Sequence, residues 1–481
     1  MFATAFHQLR YAGGLLRGER LPVESLSRLA RDIVATATEF DGPGASTMPL
    51  AGRDTFADPA AARALALRSL RMTARRAAGH TAYYRRLFEG RPPAAELTLE
   101  TWTELPVTTK AALRRMPDAF VAVGAVPALV ALTTGTTGRP TSVWFSGREI
   151  DMLVSLNTIS AVVTQGIRPR HAVAYAGSSR ATLALLCVSR SVQAAGAAFV
   201  AHGSIDPRIV LDRLAAPLPL PGRPRQATHL VANTSYLGAL LNVADSGGWH
   251  AGDFGLETIN VGGEVLSDAL RDRAQRRFGA RVSIGYALTE AVPAGAGRCS
   301  AGHLHHPNDF AYVEVLDPVT YRPTAPGDIG TIVVTPYVPY RECMLLLRYV
   351  TGDLVRTLAA APTCEMAAVP ATSDVLGRYG GAVSVRIPHR EVLEILDAEP
   401  GVAQPARYVL AGDRPVLHVY TDRPSAALRS RLEDAAAGRG LAIDGIVLHG
   451  DITDLPPHAP PRADLREHTF EPVGALGGGA R

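Results

Sequence analysis

From Leu129 onward, short apolar runs alternate with longer segments of helical period. HAVAYAG (His171–Gly177) reads as a strand and leads into a helical run ending near Ala195. AAFVAHG (Ala197–Gly203), with the helical segment from Asp206, repeats the unit. ATHLVAN followed by a helix near Leu237 to Ala244, then LETINV, a helix over Ser267 to Phe278, and RVSIGY continue it. Such alternation predicts parallel strands joined by crossover helices. Ligands in sheets of this kind bind past the C-terminal strand ends, and the segments Gly262-Gly263-Glu264 and YALTE (Tyr286–Glu290) each follow directly on an apolar strand.

The flanks read differently. Val23 to Thr38 and Pro59 to Ala78 have helical spacing, with DGPGAST as the loop between them. Near Phe310 the pattern changes to strands without helices, AYVEVLD and GTIVVTPY, joined by the turn PTAPGDIG. At LGRYGG (Leu376–Gly381) it changes again, and consecutive glycines suit a swivel. The expected fold is therefore α/β. A large N-terminal domain, residues 1–376, would carry mixed and parallel sheets, flanking helices and a β subdomain; residues 377–481 would form a small mobile α+β C-terminal cap.

Composition narrows the classes. At 481 residues the chain exceeds what one hydrophobic core organises, and 47% hydrophobic with 20% charged residues excludes disorder. The net charge of +4 is mixed along the chain without a basic tract, so nucleic acid is not an expected partner. No apolar run reaches the roughly 18 residues of a membrane span, and four cysteines in so long a chain make no disulfide framework. A reducing, cytoplasmic location is the expectation. Positive charge is almost all arginine; Lys110 is the only lysine, and both pairing with a carboxylate and a role near a site stay open for it.

The segment LTTGTTGRPT (Leu132–Thr141) carries the first chemistry. Gly135 and Gly138 permit positive φ and close backbone approach, Thr133, Thr134, Thr136 and Thr137 offer hydroxyls, and Arg139 adds a permanent charge. Successive amides in such a turn can cradle a nucleotide's phosphates, which points to an ATP-using enzyme. Taken alone, a polar surface hairpin accounts for the run equally well. It is not a kinase-type P-loop, because GxxxxGK[ST] is missing and TSVWF reads as a strand.

In order after this loop come INVGGEVLS (Ile259–Ser267), IGYALTEA (Ile284–Ala291) and RYVTGD (Arg348–Asp353), and the four together resemble the signatures of the adenylate-forming superfamily. HTAYYRRLF (His80–Phe88), LPVTTKAALR (Leu105–Arg114) and GGEVLSDALRDRAQRRFG (Gly262–Gly279) are similar to the phenylacetate-CoA ligase family within it. The resemblance runs from about Ser69 to Glu394. It implies attack of a small, aromatic carboxylate on the α-phosphorus of ATP, and transfer of the acyl group to CoA or to another thiol, amine, hydroxyl or carrier-protein acceptor. A homodimer is left open.

By the same resemblance Glu290 takes Mg²⁺ and Thr289 touches the α-phosphate. Tyr286 stacks on adenine beside Gly262, Gly263 and Glu264, Asp353 accepts the ribose hydroxyls, and Arg378 lies near ribose or phosphate. Tyr175, Ser235 and Tyr236 fall where the family lines its acyl pocket. Blander readings stand beside these: turn chemistry for Asp353, a helix cap for Glu290, core for Tyr286. Cys299, His305 and Cys364 match a structural zinc site of some relatives, but the paired cysteine is absent from APTCEM; His303 or His306 would have to replace it. An intact Zn²⁺ site and a remnant are both open.

The chain also departs from the pattern. GRYGGAVSVRI stands where an acidic hinge is expected, with Ile387 in place of a glycine, and no lysine follows it. Arg462 or Arg466 would have to supply the charge that a C-terminal lysine brings to adenylation, and arginine is not an innocent replacement. A catalytically altered or inactive relative that binds nucleotide, or a transferase using the same pocket, is the competing reading.

Overall fold

The computed structural model describes residues 2–17, 21–39, 58–133, 140–412 and 414–456. The expected helices are present as Val23–Glu39 and Pro59–His80, the latter capped by the Asp58 side chain on the Ala60 amide. Thr81 ends that helix and caps the next, Ala82–Phe88, through its hydroxyl.

β1 (Pro127–Leu132) and β2 (Ser142–Ser146) form an antiparallel hairpin around the Thr/Gly segment. β3 (Ala172–Ala176), β4 (Ala198–Ala201), β5 (His229–Asn233), β6 (Thr258–Gly262) and β7 (Arg281–Ala287) are parallel neighbours in the order β4-β3-β5-β6-β7. Crossover helices Thr182–Ala194, Pro207–Ala215, Thr234–Gly247 and Asp268–Phe278 lie between them in sequence, as the alternating pattern requires. Beyond β7 the sheet reverses. β8 (Gly295–Arg298), β9 (Leu304–His305) and β13 (Ala371–Thr372) extend it antiparallel, because the connection Leu288–Ala294 is too short for a crossover.

A second sheet runs β10 (Ala311–Leu316), β11 (Ile329–Pro336), β12 (Tyr349–Arg356), β14 (Gly377–Arg378), all antiparallel. β14 lies beyond residue 376, so this sheet reaches slightly past the expected domain boundary. The remaining chain has its own core, Ile387, Val392, Leu396, Leu417, Leu432 and Ile446 among others, around β15 (Tyr408–Ala411), β16 (Val416–Tyr420), β17 (Gly445–His449) and the helices His389–Ala398 and Ala426–Gly438. It docks on the large part through carboxylates: Glu394 accepts from the amides of Asp268 and Ala269 at 2.8 and 3.1 Å, capping the helix Asp268–Phe278. Among the described residues no helix is long and apolar enough to cross a membrane, and the four cysteines are free thiols.

Candidate active site

Parallel register brings Asn233, Gly262 and Gly285 level at the C-terminal edge of the large sheet. Gly263 follows with φ +80, a left-handed turn that suits glycine. The Glu264 carboxylate turns back to accept the Ser235 amide at 2.6 Å, so the two expected pocket residues meet. Tyr175 is the penultimate residue of β3, with its ring folded over Gly177, where any Cβ would sit 2.5 Å from the phenol. Tyr236 is different from its expectation as a pocket wall: it is fully buried among the core leucines, and its hydroxyl donates to the Ile205 carbonyl at 2.7 Å.

Tyr286, at the end of β7, donates its hydroxyl to Asp353 Oδ2 at 2.9 Å. β12 and β14 pair Asp353 with Arg378, and Arg378 Nε lies 2.9 Å from the other carboxylate oxygen. Gly352, at φ +80, and the Thr351 hydroxyl, which accepts the Asp353 amide, shape the turn that presents this carboxylate. Burial and the Asp353 charge hold the Tyr286 phenol well above its ordinary range, so it stays a donor.

Glu290 follows Thr289 in the turn after β7 and is buried. The Tyr349 hydroxyl donates to its Oε1 at 2.9 Å, and Lys110 Nζ lies 3.3 Å from the same oxygen. Lys110 opens the short helix Lys110–Arg115, whose position is set by a bridge between Thr108 and Tyr349. At the other end of that helix Arg114 Nε donates to Thr141 Oγ1 at 3.0 Å, and the Thr141 amide donates to Thr133 Oγ1. One helix therefore links Glu290 to the stem of the Thr/Gly loop. Burial lowers the Lys110 pKa, and the Arg378 and Arg114 charges add to this against the pull of Glu290.

Thr133 is thus part of the stem; Thr134, Gly135, Thr136, Thr137, Gly138, Arg139 and Arg462 lie outside the described residues. Sequence reasoning missed Tyr349 and Arg114 as neighbours of this site, since neither stands out in its motif. It left Lys110 open, and the signal there was the isolation of one lysine in an arginine-rich chain.

Beside β9, ligand atoms of Cys299, His303, His305 and Cys364 lie within 4.8 Å of one another. His305 Nδ1 bonds the Val369 carbonyl at 3.0 Å, leaving Nε2 toward the Cys364 sulfur at 3.2 Å. His303 Nδ1 is buried with no hydrogen-bond partner. His306 is outside the group, its Nε2 on the Thr372 hydroxyl at 3.0 Å. Two thiols and two imidazoles so placed are a donor set of the kind tetrahedral zinc takes.

The family described as AMP-binding enzyme matches residues 98–337, a span that holds the loop, Gly262–Glu264, Tyr286 and Glu290. The chain belongs to that adenylate-forming family. This AMP-binding enzyme is 26% identical over 315 residues to the phenylacetate-coenzyme A ligase of Thermus thermophilus, covering 63% of its own length and 67% of the relative's. It is 26% identical over 372 residues to the phenylacetate-coenzyme A ligase of Aromatoleum evansii, covering 73% and 78%. In fold it is similar to a crystal structure of 2-hydroxyisobutyryl-CoA ligase in the postadenylation state with 2-HIB-AMP, at a TM-score of 0.67 and 20% identity, over 85% of this chain and 89% of that one. The chain is phenylacetate-CoA ligase-like in sequence and shares the fold of the solved ligase.

Proposed function

We propose that this enzyme uses Mg-ATP to convert a small, aromatic carboxylic acid into its acyl-adenylate and then passes the acyl group to CoA. The observation that carries the reading is the continuous polar assembly of Tyr286, Asp353 and Arg378 beside Tyr349, Glu290 and Lys110, behind the stem of the Thr/Gly loop. Asp353 is the residue to accept the ribose hydroxyls, held in place by Tyr286 and Arg378. Glu290 is the residue to hold Mg²⁺ through a carboxylate oxygen, which a hard cation prefers; when bound, that ion neutralises phosphate charge. Thr289 stands next to it for the α-phosphate. Ser235, Tyr175 and the Gly262–Glu264 turn edge the space for base and acid. Relatives named phenylacetate-coenzyme A ligases support the aromatic acid and the CoA acceptor.

Zinc held by Cys299, His303, His305 and Cys364 belongs to this reading as a structural ion, and residues 377–481 as a cap that moves to admit the acceptor. The competing reading, a nucleotide binder without adenylation, draws on one observation: no lysine occurs after Lys110. A panel of carboxylic acids tested for Mg-ATP-dependent pyrophosphate release, followed by mass analysis with CoA added, separates them. Acid-dependent pyrophosphate and an acyl-CoA product are expected. Nucleotide binding with no pyrophosphate from any acid would favour the competing reading.

A further inference from the structure

We infer that Lys110 is the catalytic ammonium of adenylation, contacting the ATP phosphates from within the large domain. This rests on the ligase reading above and names the cation that the chain after residue 377 does not provide as a lysine. Three observations converge on it. Lys110 is the only lysine of the chain. Its Nζ is 3.3 Å from Glu290 Oε1 on a side chain only 22% exposed, so it sits at the carboxylate assigned to Mg²⁺. The same short helix reaches the phosphate loop's stem through Arg114 and Thr141. The helix that carries Lys110 thus touches both the carboxylate proposed to hold Mg²⁺ and the stem of the Thr/Gly loop.

The pairing also explains how the group is kept until it is needed. A buried carboxylate without a partner is costly; here Lys110 offsets the Glu290 charge and Tyr349 donates a hydrogen bond to it. With Mg-ATP bound, Glu290 would hold the metal and the Lys110 ammonium beside it would be available to the phosphate oxygens. During the reaction the acid's carboxylate oxygen attacks the α-phosphorus. The bond from that phosphorus to the bridging oxygen breaks, and pyrophosphate leaves with the electron pair. No proton moves, and Lys110 remains an ammonium that stabilises the charge gathering on the phosphate oxygens.

Two measurements test this on the full chain. The first is pyrophosphate release by Lys110→Ala, Lys110→Met and Lys110→Arg. A fall in kcat of about a hundredfold for the two neutral variants is expected, with partial recovery in the arginine variant and KM for the acid little changed; because Glu290 loses its ion-pair partner the neutral variants are also expected to melt lower, so kcat is compared at a temperature below every variant's melt. The second is acetylation of the parent by acetic anhydride, read by peptide mass; side-chain amines are modified at one position only, because Lys110 is alone. Saturating Mg-ATP is expected to slow that modification about tenfold, as occupancy at ten times Kd would. A kcat within about threefold of the parent in both neutral variants, or acetylation that Mg-ATP leaves unchanged, overturns the assignment. If the parent releases no pyrophosphate with any acid, the ligase reading fails on its own. Acetylation then still decides whether Lys110 meets the phosphates: protection supports the contact, and no protection removes it.

Discussion

The Arg348 guanidinium, 2% exposed, is held by both oxygens of Glu314 at 3.0 and 3.2 Å and by the carbonyls of Thr103 and Leu105. Trp102 Nε1 adds a third donor to Glu314. This group ties the helix Leu99–Glu104 and the segment leading to Lys110 onto β10 and β12, from a residue at φ 47 that few side chains tolerate. In the RYVTGD motif Asp353 draws attention as a nucleotide ligand, while Arg348 positions the segment that carries Lys110. Burial pushes the Glu314 carboxyl up and Arg348 pulls it back, so the charge depends on its partner. Arg348→Met leaves that carboxylate buried and unpaired, which costs about 3–5 kcal/mol. A drop in the urea unfolding midpoint is expected, with partial recovery in Arg348→Met/Glu314→Gln. Equal midpoints for parent and single variant would show that the pair contributes nothing.

At the scale of elements, the alternation of apolar runs and helical segments was enough to place β3 to β7 and their crossovers, because β3, β5 and β6 are largely buried apolar runs and the segments between the strands are long enough for helices. The Gly262–Glu264 turn was legible because it follows a strand whose end is easy to find, whereas Thr351–Asp353 stood out by its motif and lies at an irregularity inside β12. Two features were not legible. The reversal at β8 and β9 depends on a short connection and on strands too brief to show a period. The partnership of Lys110 with Glu290 joins residues far apart in the chain, which no local pattern encodes. The four-residue Cys/His group also spans the β8–β9 hairpin and the segment around Cys364. A bound zinc would hold the segment around Cys364 to the hairpin. Chain purified without chelator is expected to carry about one zinc per molecule by elemental analysis, and Cys299→Ser or Cys364→Ser to lose it together with part of the thermal stability. A metal-free parent that melts no higher than those variants would leave the cluster as a remnant.

Across the whole molecule, the cap meets the large part through acidic side chains set on the N-terminus of the helix Asp268–Phe278. Glu394 caps the first amides, and Ser267 Oγ donates to Asp397. Asp397 is buried between the two parts, with Arg273 on its carbonyl. Burial pushes its carboxyl up to about 7, against the Ser267 hydrogen bond that pulls the other way. An unfolded aspartate titrates near 4, so between those values the folded chain holds a proton that the unfolded chain has given up. The group's contribution is complete at low pH, declines as pH rises through that window, and is lost above about 7, for roughly 4 kcal/mol in total. The substitution Asp397→Asn keeps an acceptor for Ser267 on a side chain that never ionises. Thermal melts are therefore expected to show the variant well above the parent at pH 8, with the gap closing toward pH 4. A gap that stays constant with pH would mean that Asp397 is already ionised in the folded chain. In the proposed movement of residues 377–481 this contact loosens, so the parent is also expected to undock more readily at pH 8 than at pH 6, measured as faster hydrogen exchange across Ser267–Leu270, and Asp397→Asn to remove that difference.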